Sequence, residues 1–218
     1  MGNELTEGMR PVTPRPPRIG EAAPVFAART TLGEISLDQY RGRWLVFFSH
    51  PADFTPVCTS EFVALARAAP RFEAMGCALL GLSVDSLYAH IAWVRAIQEA
   101  FGVAVPFPIV EDPSMAIGRA YGMLDETARD SSACRASYFI DPEGVIRAMT
   151  WYPLNVGRSV EEMIRMTAAL QRTASNEVMT PEGWRPGDDL LLPPAQTVAD
   201  ALKPGAPVDW FYRTRSEG

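Results

Sequence analysis

The thiols and imidazoles of this sequence are few. Cysteine occurs only at 58, 77 and 134, and histidine only at 50 and 90. There is no Cys-x-x-Cys and no His-Glu-x-x-His, and the wide, irregular cysteine spacing fits neither a zinc site nor a disulfide framework. Three unpaired thiols predict a reducing compartment, the cytoplasm, with no metal and no other cofactor.

Cys58 lies in the segment 49–61, where an apolar run ends and a helical pattern begins. A thiol in the first turn of a helix faces unpaired backbone N–H groups and the positive end of the helix dipole, and both favour the thiolate. Thr55 can offer a hydroxyl to an oxygen beside that sulfur. Position alone leaves two interpretations open, a reactive nucleophile and an inert, partly buried cysteine.

The elements around this segment follow an alternating pattern. Two buried strands are predicted at 44–48 and 77–84, and each is followed by a helix, at 59–75 and 86–100 respectively. Pro70 is expected to kink or divide the first of these helices. A short strand at 108–110 and a short helix at 114–121 follow. Strands at 135–140 and 145–151 flank the turn 141–144 as a hairpin, and Ser159 caps a helix over 160–173. This order predicts an α/β fold, a thioredoxin-like mixed sheet flanked by helices.

Three parts of the chain are distinguished by composition. Residues 1–18 are expected to form a flexible Pro-rich tail, residues 19–175 the thioredoxin-like domain, and residues 176–218 a C-terminal extension. The extension keeps large apolar side chains, among them Trp184 and Trp210, which predicts a dimerisation arm. The net charge of −6 without a basic cluster argues against nucleic-acid binding, and the apolar runs are too short to span a membrane.

The pattern Pro51-x-x-x-Thr55-x-x-Cys58 matches the active-site signature of the peroxiredoxins, which are thiol peroxidases of thioredoxin-like fold. The longer string 48–59 closely resembles their one-cysteine, peroxiredoxin-6-like branch, within the alkyl hydroperoxide reductase and thiol-specific antioxidant family. Further stretches similar to that branch occur at 83–86, 90–93, 151–158 and 180–188. The resemblance covers roughly residues 19–215, so 19–175 is identified as a peroxidase domain.

The resemblance implies a role for each matching residue. Cys58 is the peroxidatic cysteine, whose thiolate attacks hydrogen peroxide or an alkyl hydroperoxide and becomes a sulfenic acid. Thr55 hydrogen-bonds the reacting oxygen, and Arg135 supplies a fixed cation that stabilises the thiolate and holds the peroxide. Pro51 shapes the loop and keeps water from the sulfur. Glu61 either orients Arg135 or is merely an acid complementing the helix dipole.

Expectations also apply to two further matching residues and to the other two cysteines. His50 is a hydrogen-bonding element of the loop rather than a general base. Arg158 either lies near the pocket or faces solvent at the end of a loop. Cys77 is a buried structural thiol. Cys134 directly precedes Arg135, so strand alternation points it to the face opposite Arg135 and away from Cys58.

The resemblance also implies how the catalytic cycle closes. Two-cysteine relatives carry a resolving cysteine near the C-terminus, and none lies between 176 and 218 here. The expected reductant is therefore an external thiol such as glutathione, thioredoxin or glutaredoxin. The expected assembly is a homodimer, with higher rings as a further step.

Three other functions compete with this one. Some members of the branch are described as phospholipases, but the Gly-x-Ser-x-Gly pattern is absent, since 81–85 ends in Asp85. A hydrolase using Cys58 with His50 is chemically conceivable. A holdase chaperone or peroxide-sensing scaffold built from dimers is the non-enzymatic alternative.

Overall fold

The computed structural model describes residues 15–124, 133–203, 205 and 207–217. The strands are β1 (Ala27–Thr30), β2 (Gly33–Ser36), β3 (Trp44–Ser49), β4 (Cys77–Ser83), β5 (Ile109–Glu111), β6 (Arg135–Ile140), β7 (Ile146–Tyr152), β8 (Leu190–Leu192) and β9 (Arg213–Arg215). The helices are α1 (Pro56–Ala74), α2 (Leu87–Phe101), α3 (Ala116–Ala120), α4 (Val160–Thr173) and α5 (Val198–Ala201), with a 3-10 helix at Leu37–Tyr40. Within the described residues, none of the helices combines the length and the hydrophobicity that a membrane span requires.

Seven strands form one mixed sheet in the order β2-β1-β5-β4-β3-β6-β7. The central strands β3, β4 and β5 run parallel, and β1, β2, β6 and β7 join through antiparallel pairs. The thioredoxin-like mixed sheet predicted from the sequence is thereby confirmed. β8 and β9 pair separately in the C-terminal extension.

The sheet has a buried core on each face because apolar side chains alternate along its strands. On β3, Val46 and Phe48 face the side covered by α1, α2 and α4, called here the α1 face. Leu45 and Phe47 face the side covered by α3 and the 3-10 helix, called here the α3 face. A strand that is buried on both sides is expected to carry apolar side chains on both of its faces, as β3 does.

Helix α1 begins at Pro56, earlier than the predicted start at residue 59. Thr55 is its N-cap with an extended backbone, and proline is favoured at the next position because its missing N–H would have no partner there. Pro70, expected to kink or divide this helix, lies inside it without ending it. The early start places Cys58 in the first turn.

Several short elements of the structure were not predicted from the sequence. The hairpin of β1 and β2, the 3-10 helix, and β8, α5 and β9 were not predicted, because short and partly exposed segments carry little periodicity. Of the predicted tail over 1–18, residues 1–14 lie outside the described residues. In the described residues 15–18, Pro17 is buried and Arg15 pairs with Glu21.

The C-terminal extension packs on α4 of the same chain. Trp184, Val178 and Leu190 are buried in a small cluster with Ala169 of α4. Arg165 Nη1 donates a hydrogen bond to the carbonyl of Trp184 at 3.2 Å. Further along, the large apolar side chains are exposed, namely Val208, Trp210, Phe211 and Tyr212.

Candidate active site

Cys58 lies on the α1 face, in the first turn of α1, with 0% of its surface exposed. It packs among the apolar residues of that face, which include Phe48 and Phe62. Among the described residues, the charged group within hydrogen-bond distance of it is the guanidinium of Arg135, whose Nη1 lies 3.3 Å from Sγ. The sulfur therefore has a cation beside it in surroundings that exclude water.

Arg135 is the first residue of β6, and its side chain is held at several points. Nε and Nη2 donate to the carbonyl of Leu154 at 3.0 and 2.7 Å. Nη1 donates to Glu61 Oε2 at 2.9 Å while also facing Cys58. With 2% of its surface exposed, this arginine is a fixed cation rather than a mobile surface charge.

Glu61 follows Cys58 on α1 and bridges two arginines. Its Oε1 accepts from the backbone N and Nε of Arg158 at 2.7 and 3.0 Å, and its Oε2 accepts from Nη2 of Arg158 at 2.9 Å. Burial alone would raise the pKa of Glu61, but Arg158 and Arg135 outweigh it and hold that pKa below its usual value. Of the two interpretations of Glu61, the contact with Arg135 favours the orienting one.

Arg158 is buried, so its solvent-facing interpretation is wrong. Nη1 donates to the carbonyl of Ala136 at 2.8 Å and to Ser137 Oγ at 3.1 Å. Its guanidinium carbon lies 5.3 Å from the centroid of the Phe48 ring, which is cation–π geometry. Arg158 thus ties α1 to β6 and keeps Glu61 in place.

The charges of this group bear on the state of the sulfur. Arg135 and Arg158 carry two positive charges and Glu61 one negative charge, all three in contact and buried. The group therefore carries a surplus positive charge, which a thiolate at Cys58 neutralises. A buried surplus of positive charge is an environment that stabilises a negative charge placed beside it.

The loop between β3 and α1 is anchored by Asp53. Its backbone N–H donates to Asp85 Oδ2 at 2.9 Å, and its carboxylate contacts His50 and His90. Phe54 then adopts φ of 58°, a left-handed conformation that a non-glycine residue keeps only when its neighbours hold it. This anchoring sets the direction in which the chain enters α1.

Thr55 and Pro51 lie in this loop. Thr55 is half-buried and donates its hydroxyl proton to the carbonyl of Ala52 at 2.9 Å, which leaves oxygen lone pairs free to accept. Pro51 is buried. Both stand on the short connection that leads into the turn carrying Cys58.

His50 belongs to a buried triad that sequence reasoning did not identify. Its Nε2 lies 2.8 Å from Asp53 Oδ1, and His90 Nδ1 lies 2.7 Å from Asp53 Oδ2. Burial lowers the pKa of His50 despite the opposing effect of Asp53, which favours the neutral ring. A neutral ring that donates from Nε2 carries its lone pair on Nδ1, which has no hydrogen-bond partner among the described residues.

The same triad is the group of described residues that could hold a metal ion, since its ligand atoms lie within 4.8 Å of one another. Its 2.7 and 2.8 Å contacts are hydrogen bonds that an ion would have to replace. Burial would raise the pKa of Asp53, but hydrogen bonds from His50 and His90 hold it below its usual value. In the sequence, the one signal for this triad was the second histidine at 90, and nothing indicated that Asp53 would be its partner.

The thiols of the other two cysteines are not among the hydrogen-bond partners of the Arg135 side chain. Cys77 starts β4 on the α1 face, and burial raises its pKa to about 12. Cys134 immediately precedes β6 and packs against the α3 face, and burial raises its pKa to about 11. All three cysteines are free thiols. The side chain of Cys134 therefore packs on the opposite face of the sheet from Cys58, as strand alternation predicted.

Sequence and structure comparisons agree with this geometry. The profile of the AhpC/TSA family matches residues 19–149, and that of the C-terminal domain of 1-Cys peroxiredoxin matches residues 169–204. The chain is 44% identical to a peroxiredoxin of Aquifex aeolicus over 198 residues, covering 86% of this chain and 89% of that protein. The chain belongs to the AhpC/TSA family, whose members are the thiol-dependent peroxidases called peroxiredoxins.

Two solved structures show the same fold. A yeast mitochondrial 1-Cys peroxiredoxin superimposes with a TM-score of 0.77 and 40% identity, covering 84% of this chain and 90% of its own. Peroxiredoxin 6 of Arenicola marina, as a cysteine-to-serine mutant, superimposes with a TM-score of 0.77 and 34% identity, covering 84% of this chain and 87% of its own.

Proposed function

We propose that Cys58 is the peroxidatic cysteine of this peroxidase and that its cycle uses no second cysteine of the chain. The observation that carries the proposal is the 3.3 Å contact between Arg135 Nη1 and Cys58 Sγ, in a site where Glu61 and Leu154 fix the guanidinium. A thiolate beside a fixed cation in a helix's first turn is an activated nucleophile.

In the first step the Cys58 thiolate attacks the terminal oxygen of hydrogen peroxide or an alkyl hydroperoxide. The S–O bond forms as the O–O bond breaks, and the other oxygen leaves as water or alcohol after taking a proton. Arg135 stabilises the negative charge as it moves from sulfur to the departing oxygen. Thr55 accepts a hydrogen bond from the peroxide, and Pro51 helps to keep bulk water out.

The second half of the cycle regenerates the thiol. One external thiol condenses with the sulfenic acid, giving a mixed disulfide and water, and a second thiol releases Cys58 and leaves as a disulfide. Cys77 and Cys134 are poor candidates for this task, since one is in the core and the other packs on the α3 face. The yeast relative resolves its thiol via glutathione/thioredoxin systems, and we expect glutathione, thioredoxin or glutaredoxin to serve here.

A variant with Cys58 as its only thiol tests the one-cysteine cycle. Cys77→Ala combined with Cys134→Ala should sustain peroxide turnover with an external thiol at a rate within about twofold of the parent, whereas Cys58→Ser should not turn over. Intact-mass measurement of the parent protein after one equivalent of peroxide should show a single added oxygen. A Cys58–Cys134 disulfide, or loss of recycling in the double variant, would contradict the proposal.

We further propose that the C-terminal extension contributes to a homodimer. The support is the exposed apolar end of the extension, where Phe211 is 65% and Tyr212 56% exposed although its start is buried on α4. Sedimentation analysis of Phe211→Ser with Tyr212→Ser should show a shift toward monomer. An unchanged association constant would place the interface elsewhere.

A further inference from the structure

Ser49 is a buried hydroxyl to which the proposed chemistry gives no role. It ends β3 after a run of apolar residues and has 0% of its surface exposed. A polar side chain at this depth requires hydrogen-bond partners, because burying it unpaired would destabilise the fold. The identity of those partners shows what the residue holds in place.

Both partners of Ser49 belong to the peptide groups that flank Arg135. Ser49 Oγ donates to the carbonyl of Cys134 at 2.6 Å and accepts from the N–H of Ala136 at 3.2 Å. The Cys134 carbonyl is in the peptide group before Arg135, and the Ala136 N–H is in the peptide group after it. One hydroxyl therefore ties together the two planes whose relative rotation defines φ and ψ of Arg135.

The backbone ladder between β3 and β6 does not perform this function. Its register runs from Leu45 opposite Ile140 to Phe48 opposite Ser137 and stops short of Arg135. Beyond Phe48 the β3 chain continues its parallel pairing with β4, and the His50 N–H donates to the carbonyl of Leu82 at 2.9 Å. On its β3 side, the backbone of Arg135 is thus held by a side chain.

The other end of Arg135 is fixed separately. Leu154 and Glu61 hold the guanidinium, as described above, while the backbone dihedrals set the direction in which the side chain leaves β6. A change in the backbone dihedrals of Arg135 therefore alters the distance between its Nη1 and Cys58 Sγ, which is 3.3 Å here. In a site shielded from water, a small displacement of a charge has a large effect on the anion it stabilises.

We propose that Ser49 is a positioning residue for the peroxidase reaction, holding the backbone of Arg135 so that its guanidinium stays against the sulfur of Cys58. This inference rests on the roles proposed for Cys58 and Arg135. Ser49 itself touches neither the sulfur nor, in this account, the peroxide.

Ser49→Ala removes the hydroxyl with little change in volume. We expect the second-order rate constant for hydrogen peroxide to fall about 10-fold and the midpoint of the pH–rate profile of Cys58 alkylation to rise, because the thiolate loses part of its partner. A purely structural role would lower the melting temperature and leave that midpoint in place.

Thr30→Val is the matched control. Thr30 is buried on β1, donates to the carbonyl of Gly33 at 2.7 Å and accepts from the N–H of Leu32 at 3.1 Å. Like Ser49→Ala, this variant loses one hydrogen bond to a carbonyl and one from a backbone N–H. The strand that carries it does not adjoin β3. Its rate constant should match that of the parent, and a loss equal to that of Ser49→Ala would overturn the inference.

The same substitution in an Arg135→Ala background separates the inference from the function it rests on. If Ser49 acts through Arg135, Ser49→Ala should there lower the rate constant by less than about twofold. Equal losses in both backgrounds, or no loss beside an intact Arg135, would overturn the inference and leave the role of Arg135 standing. An Arg135→Ala variant as fast as the parent would overturn both.

A conservative variant covers the case in which Ser49→Ala fails to fold. Ser49→Thr keeps the hydroxyl, so its rate constant should stay within about threefold of the parent. A loss as large as that expected for alanine would contradict the positioning role.

Discussion

Cys58 and Cys77 are the same residue type in the same core, yet their surroundings differ. Both are buried on the α1 face of the sheet. Arg135 lies 3.3 Å from the sulfur of Cys58. At Cys77, burial raises the pKa to about 12, and the opposing effects of Val46, Thr167 and Arg43 do not reverse it.

The comparison shows that burial alone does not make a reactive cysteine. Desolvation penalises the charged form of any thiol, so an isolated buried cysteine stays protonated. In the proposed site, the reactivity of Cys58 depends on a fixed cation, Arg135, whose guanidinium is held in place by Leu154 and Glu61.

The largest effect is expected for Cys58→Ser. The hydroxyl is not ionised at neutral pH, so the rate constant for peroxide should fall at least about 10³-fold. Stopped-flow measurement of peroxide consumption checks this, and circular dichroism confirms the fold. Retention of the parent rate would move the catalytic assignment away from Cys58, while intact assembly in an inactive variant would leave room for a holdase activity.

Arg135→Ala should come next, with a loss of about 10² to 10³ in the rate constant. Arg135→Lys keeps the charge but lacks the planar fork that reaches Leu154, Glu61 and the sulfur together. It should recover only part of the rate. A lysine variant as fast as the parent would mean that charge alone, without orientation, is sufficient.

Glu61→Gln should have its main effect on stability and on the pH dependence of stability. Losing the carboxylate leaves two buried arginines unneutralised, and we expect about 3 kcal/mol of destabilisation at neutral pH. The folded-state pKa of Glu61 lies below its ordinary value of 4.5. Its contribution is therefore complete above 4.5 and is lost as pH falls through the folded-state pKa.

Denaturant titrations from about pH 2.5 to about pH 7 measure that contribution, since they bracket the ordinary pKa of a glutamate. The parent should lose stability more steeply below pH 4.5 than Glu61→Gln, so the two curves should converge in acid. Parallel curves would show that Glu61 is not coupled to its arginines.

The smallest effect on catalysis is expected for Cys77→Ala. Because burial raises the pKa of Cys77 to about 12, its thiol stays protonated at neutral pH and should resist iodoacetamide in the folded enzyme. The variant should react with peroxide within about twofold of the parent. Peptide mapping after alkylation checks the first point and stopped-flow kinetics the second. Rapid labelling of Cys77 at neutral pH would contradict the contrast between the two thiols.

The sequence predicted the parts of the site that are local in the chain. The strand, loop and helix around Cys58 are contiguous, and the opposite directions of the Cys134 and Arg135 side chains, at the start of β6, need no tertiary information. The triad of His50, Asp53 and His90 was missed because one of its contacts spans 37 residues. The bond from Ser49 to Cys134 spans 85 residues and depends on where the β3–β6 ladder stops.

We propose that Arg135, rather than burial or the helix dipole alone, activates Cys58. The most direct test is the rate constant for alkylation of Cys58 at neutral pH in the Cys77→Ala, Cys134→Ala background, with and without Arg135→Ala. We predict that this rate constant falls at least about 10-fold when the guanidinium is removed. An alkylation rate unchanged by Arg135→Ala, in a variant that remains folded, would contradict this account.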